Sequence, residues 1–384
     1  LALGCRQLNG DQRMNSEYLR EVEQECQEAF TSQDSEKRRV AESSLRCFTE
    51  NPQMLPQLEY ILLNSSNSYA LVMAASSLRN LLSKKWGSID LPIKTSLRGR
   101  VTSLLTSRSS SWDNYTTTLA IQLVARFTKL GWQDADDFRK IVDFSLDSLQ
   151  GPPNEAILAG RILEAIVSDF NTQLSGHSVT AHRRMVVSFR DTRLFDVFKA
   201  SVVMLQKIRL GQTTFQGREL EVIEVLVNIS LSCLNYDFVG TAVDDGNEEM
   251  RCVHYPSSWY KAICDEATLT AFVAVFEEFQ PPLSSKALEC MAQLASTRRS
   301  IFPTEHARKD YLNRLVATQI NIIKRNTGLD ELENRHHFCR FITRMKANFS
   351  LLELCSIDAF AEWSMLVKKF TIDALVGVDP EAVF

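Results

Sequence analysis

RRVAESSLRCFTENPQMLPQLEYILLNSSNSYALVMAASSLRNLLSKKW, from Arg38 to Trp86, decides the fold class of this chain. Its apolar residues recur three and four positions apart, the spacing that lines one side of an α-helix. Asn51-Pro52 interrupts the pattern, because proline lacks the N–H that a helix interior needs. The stretch reads as two or three short amphipathic helices in antiparallel array, the last ending in LRNLLSKKW.

The same period extends outward in both directions. Residues 1–15 read as a polar tail, and helical spacing begins at Ser16. Downstream, Ala120, Leu123, Val124, Phe127 and Leu130 form one stripe, and Ala156, Ala159, Gly160, Leu163 and Ile166 a second. Val222, Val225, Leu226, Ile229 and Cys233 form a third. Leu283, Ala287, Cys290, Met291 and Leu294, then Phe338, Phe341, Ile342, Met345 and Phe349, continue it. Breakers stand between the stripes: Gly131 as a C-terminal cap, Gly151-Pro152-Pro153-Asn154, Pro281-Pro282 and Pro303.

Short helices with short joins cannot bury their stripes as isolated pairs, whereas stacked pairs can. The expected fold is therefore all-α: an α-α superhelix (solenoid) of HEAT-like helical-pair repeats, with an irregular helical bundle as the alternative. At about 40–47 residues per unit the chain would hold about eight or nine of them. Insertions near 172–190 and 240–258 blur the period. The second holds Asp244, Asp245, Glu248 and Glu249 and lacks helical spacing, so it reads as a loop. It is either a solvated acidic turn or a contact for a basic partner surface, since such clusters speed association with cations.

Composition narrows the function class. The 384 residues are 45% hydrophobic, with 43 basic and 47 acidic side chains and a net charge of −4. A nucleic-acid binder would usually carry a basic domain or stripe, so direct nucleic-acid binding is not expected. No apolar run approaches the roughly 18 residues that a membrane span needs, so no membrane insertion is expected. The nine cysteines are an odd number without a CxxC pair, and several, Cys290 and Cys339 among them, fall on apolar helical faces. Buried thiols in a reducing compartment, cytosol or nucleus, are the reading that follows.

The sequence lacks the motifs that mark the common catalytic and nucleotide-binding sites. There is no GxxxxGK[ST] phosphate loop, no GxGxxG turn, no HExxH and no G-x-S-x-G elbow. His336-His337 lacks a third ligand at a helical offset, and Asp136-Asp137 and Asp244-Asp245 would point to different sides of a helix. No catalytic residue, cofactor site or metal site is assigned, and an enzyme is not expected.

LRNLLSKKW resembles the N-terminal domain of importin-β-type nuclear transport receptors, where a helix with a leucine–basic–asparagine step closes on a tryptophan. Further strings are similar to the exportin-7 family and occur in that family's order: TKLGW (128–132), HRRMVVSFRDTRLFDVF (182–198), LNYDFVGT (234–241), PSSWYKA (256–262), RRSIF (298–302) and FCRFITRMKANFSLLEL (338–354). The resemblance implies an exportin that binds Ran-GTP and protein cargo, contacts Phe-Gly nucleoporins and shuttles between nucleus and cytoplasm as a monomer. A HEAT-repeat scaffold or adaptor outside nuclear transport is the alternative. The resemblance also implies importin-β N-terminal-type repeats over 16–110, further repeats over 111–384, and a chain that is a portion of a longer array. It also implies Ran contacts from Arg79, Asn80, Lys84 and Lys85 on the LRNLLSKKW helix. Gln122, Arg126 and Lys129 on the helix 115–130 are the next candidates, whereas Leu78, Leu81 and Trp86 would pack.

Overall fold

The computed structural model describes residues 16–174, 178–239 and 252–376, with the side chains of 374–376 excluded. Its architecture is an all-α helical-repeat solenoid in which neighbouring helices pack as pairs. Two compact units divide the chain, Leu1–Met185 and Val186–Phe384.

The first unit opens with α1 (Ser16–Thr31), α2 (Ser35–Leu45) and α3 (Cys47–Glu50), followed by α4 (Leu55–Asn64) and α5 (Ser68–Lys85). Arg46 between α2 and α3 keeps helical backbone angles, so the stretch read as two or three helices is three helical segments. Asn51 makes the break, its side chain accepting from the Gln53 N–H at the start of a 3-10 turn. Next come α6 (Leu91–Arg108), α7 (Asn114–Gly131), α8 (Lys140–Ser148) and α9 (Pro153–Asn171). α4, α6 and α8 each pack on the helix that follows, and α5, α7 and α9 lie side by side as a second layer.

Gly131 is not a left-handed cap. It is the last residue of α7, before the cap residue Trp132, without a positive φ, and buried where a Cβ would overlap the Phe138 ring. The TKLGW glycine is therefore a matter of close packing and not of backbone freedom.

Across the unit boundary runs α10 (Val179–Phe189), and the second unit continues through a π-helical turn, Arg190–Leu194, into α11 (Phe195–Arg209). α12 (Glu219–Leu234), α13 (Tyr260–Ile263), α14 (Glu266–Glu278), α15 (Leu283–Ala295), α16 (Glu305–Arg325), α17 (Leu332–Asn348), α18 (Leu351–Cys355) and α19 (Phe360–Val376) follow. Here α12, α15 and α17 form one layer, while α11 and α14 pack against it. Among the described residues the only strand-like contact is a one-residue bridge between Val253 and Thr297.

Several of the family-like strings meet inside this unit. Trp259, fully buried, stacks on Phe198 at 5.2 Å and on Tyr255 at 5.9 Å, and takes the edges of Phe238 at 5.3 Å. Three separated strings thus share one aromatic nucleus, and edge-to-face and stacked rings at such distances add about 0.5–1.5 kcal/mol per pair beyond burial. RRSIF and the 338–354 string converge on Arg308. Its guanidinium lies 4.1 Å from the Phe349 ring centre and 5.4 Å from that of Phe302. It also donates to Glu353 at 2.6 Å and to the Asn348 carbonyl at 2.8 Å.

The predicted stripes are buried, with Ile342 only half-buried. Cys339 departs from expectation and is exposed, because α17 buries the side bearing Phe338, Phe341 and Met345 and Cys339 lies a step round from it. The eight described cysteines are free thiols. Among the described residues no helix is long and apolar enough to cross a membrane, and no three His, Cys, Asp or Glu side chains gather where a metal could sit.

Candidate functional site

α5 forms because Asn67 caps it, accepting from the N–H groups of Tyr69 at 2.9 Å and Ala70 at 3.2 Å. Lys84 and Lys85 sit in its last turn, where cations stabilise the negative end of the helix. Leu71, Ala74, Leu78, Leu81 and Leu82 are buried along one side of it. Asn80 and Lys84, one turn apart, are exposed together on another side, and Lys85 is exposed beside them.

α7 starts at Asp113, whose carboxylate accepts from the Thr116 N–H at 2.8 Å and the Thr116 hydroxyl at 2.7 Å. It also accepts from Ser68 at the start of α5, at 2.9 Å. The Thr116 backbone donor first, then these hydroxyls, hold the Asp113 pKa down at about 2. The shared cap aligns the starts of α5 and α7, so the two helices run parallel.

Their side chains then meet at a constant offset. Arg79 of α5 donates to Gln122 of α7. Ser83 takes a hydrogen bond from Arg126. Arg126 donates from Nη2 to Asp169 of α9 at 2.8 Å, and Arg161 of α9 donates to Thr118 at 2.8 Å. Lys129 reaches the carbonyl of Thr172. Every one of these pairs is separated by 43 residues. A repeat too degenerate to show in the apolar residues is therefore explicit in the polar contacts between successive helices.

Trp86 closes this end. Its indole N–H donates to Asp134 at 2.8 Å, its ring meets the edges of Phe127 and Phe138 at 6.2 and 5.7 Å, and Lys94 lies 4.5 Å above it. Packing, as expected for Trp86, is what its surroundings show.

Arg79, Gln122 and Arg126 thus line one open groove of about 490 Å³ between α5, α7 and α9, together with Arg161, Glu164 and Asp169. Asn80, Lys84 and Lys85 stand outside its lining, on the exposed side of α5. Lys129 is in neither place. It is fully buried, and its ammonium donates to the carbonyls of Asp169, at 2.5 Å, and Thr172, at the C-terminal end of α9. Burial first, then the nearby Arg126 charge, pushes its pKa down to about 8 against the pull of Asp169. The Ran contact read for Lys129 is corrected here: the amine serves as a helix cap and has no face left for a partner.

Arg161, Glu164 and Asp169 of the groove escaped the sequence reading. The signal that finds Arg161 and Asp169 is the 43-residue offset from Thr118 and Arg126. Asp244, Asp245, Glu248 and Glu249 lie outside the described residues.

The importin-beta N-terminal domain family matches residues 41–107, from within α2 to the end of α6. Exportin-7-B of Xenopus laevis is 31% identical over 363 residues, covering 93% of this chain and 33% of that protein. Ran-binding protein 17 of Homo sapiens is 29% identical over 362 residues, with the same two coverages. Exportin-7 of Dictyostelium discoideum is 33% identical over 216 residues, or 56% of this chain and 21% of that protein. The chain spans about a third of the length of the first of these relatives. With an importin-β N-terminal domain at its head and this similarity along nearly all its residues, the chain matches an N-terminal portion of the exportin-7 family.

Proposed function

We propose that the chain acts in nuclear export, binding Ran-GTP and protein cargo and passing the pore on Phe-Gly nucleoporins as a monomeric, shuttling, non-enzymatic receptor. The observation that carries this reading is the similarity over 93% of the chain to proteins named for export and for Ran binding. The Ran surface is assigned to the exposed side of α5 (Asn80, Lys84 and Lys85), with Arg79 and Gln122 along the adjoining groove; Arg126, held by Ser83 and Asp169, lies behind it.

Stacked repeats suit such work. Each touches only its neighbours, so small rotations add along the array. Two ligands that favour the same pitch become coupled, typically by about 1–3 kcal/mol, and each strengthens the other equally.

Capture of Ran locked in its GTP or GDP state tests the proposal. Selective capture of the GTP form is expected. Equal capture of both forms, or of neither, sinks the export reading and leaves a HEAT scaffold in its place.

A further inference from the structure

Arg79 and Arg161 come from helices on opposite sides of α7 and converge on it. Arg79 is bound by Gln122, and Arg161 by Thr118 and by Asn114 at 2.9 Å. Thr118 and Gln122 are four residues apart, about 6 Å along the helix axis. Both guanidiniums therefore sit on neighbouring turns of one helix, at the edge of one groove.

Their partners are neutral. Arg126, deeper in the same groove, already has the Asp169 carboxylate at 2.8 Å. A guanidinium has five N–H donors, so an amide or hydroxyl oxygen leaves most of its hydrogen-bonding capacity unused.

We infer that the groove between α5, α7 and α9 is a carboxylate-binding surface, in which Arg79 and Arg161 hold acidic side chains of a protein partner's extended acidic segment. The inference names the chemistry of the partner that meets α5 and α7, and to that extent it rests on the proposed function. Charge complementarity selects the occupant. Planar guanidiniums bind carboxylates in a forked geometry.

The test uses the full chain and a fluorescent peptide of alternating glutamate and alanine, with glutamine–alanine and phosphoserine–alanine peptides as controls. The glutamate peptide binds best, and Arg79→Gln with Arg161→Gln weakens it by about tenfold or more, the scale of losing charge-assisted hydrogen bonds. Lys346→Gln, at an exposed position near the end of α17, leaves it unchanged. Equal binding by the arginine double variant, equal binding of the glutamine peptide or tighter binding of the phosphoserine peptide overturns the inference. Should the double variant misfold, the wild type still decides: affinity that is flat from low to high salt overturns it. A wild-type chain that ignores Ran-GTP but binds the glutamate peptide upholds the groove and overturns the export reading alone.

Discussion

Lys129 of α7, 0% exposed, donates its ammonium to the main-chain carbonyl of Asp169 in α9 at 2.5 Å. A charged amine is tolerated without solvent because it meets the carbonyl-rich end of a helix and lies near the Asp169 charge.

Lys129→Met keeps the stem and deletes the donor. It should cost about 1–3 kcal/mol in denaturant unfolding, the penalty for stranding buried carbonyls. Because burial holds the folded pKa at about 8 against an ordinary 10.5, the unfolded chain carries more proton between these values. Lys129 thus makes stability rise with pH across that window. The rise should vanish in Lys129→Met, and a variant that retains it refutes the assignment.

Glu353 behaves oppositely. Burial works against its charge, yet Arg308 and the Ser350 N–H and hydroxyl hold its pKa down at about 2, below the usual 4.5. Its contribution is complete above pH 4.5 and is lost as pH falls towards 2. With 23% of the side chain exposed, Glu353→Gln should cost about 2 kcal/mol at neutral pH, allowing for solvent screening. Acid titration followed by circular dichroism should show a flatter profile in that variant between pH 4.5 and 2.

Gly131→Ala should destabilise by about 1–3 kcal/mol, since the added methyl overlaps the Phe138 ring in a packed interior. Phe138→Leu in the same chain should recover part of that loss. Thermal melts of the two single variants and the double variant measure the coupling. Strict additivity would show that the two residues do not compete for space.

Lys84→Glu with Lys85→Glu should leave the melting temperature within a degree or so, as for most exposed substitutions. Ran-GTP capture should fall by about tenfold, mainly through slower association. Unchanged association rates would remove both lysines from the contact.

The apolar stripes were legible because burial on one side of a helix imposes a period on its own sequence. Leu123, Val124 and Phe127 are buried where that period puts them. Lys129 lies off the stripe, and α9 covers it, a neighbour that no local pattern announces. Arg126 was read as available for a partner. The structure has it largely occupied by Ser83 and Asp169, residues 43 positions away on either side. Gly131 misled for a similar reason: a glycine after TKL suggests a cap, but the ring that demands it arrives from the following turn. The exposed lysines of α5 were easy, since nothing needs to be known of the rest of the chain to leave them in solvent.

The constant offset between α5, α7 and α9 has a mechanical consequence. Sliding one helix past the next by a turn would break every one of these side-chain links together, whereas opening the layer about its long axis can stretch them one after another. The three helices should therefore be stiff in shear and compliant in bending. Such a layer can flex around a ligand without losing its register.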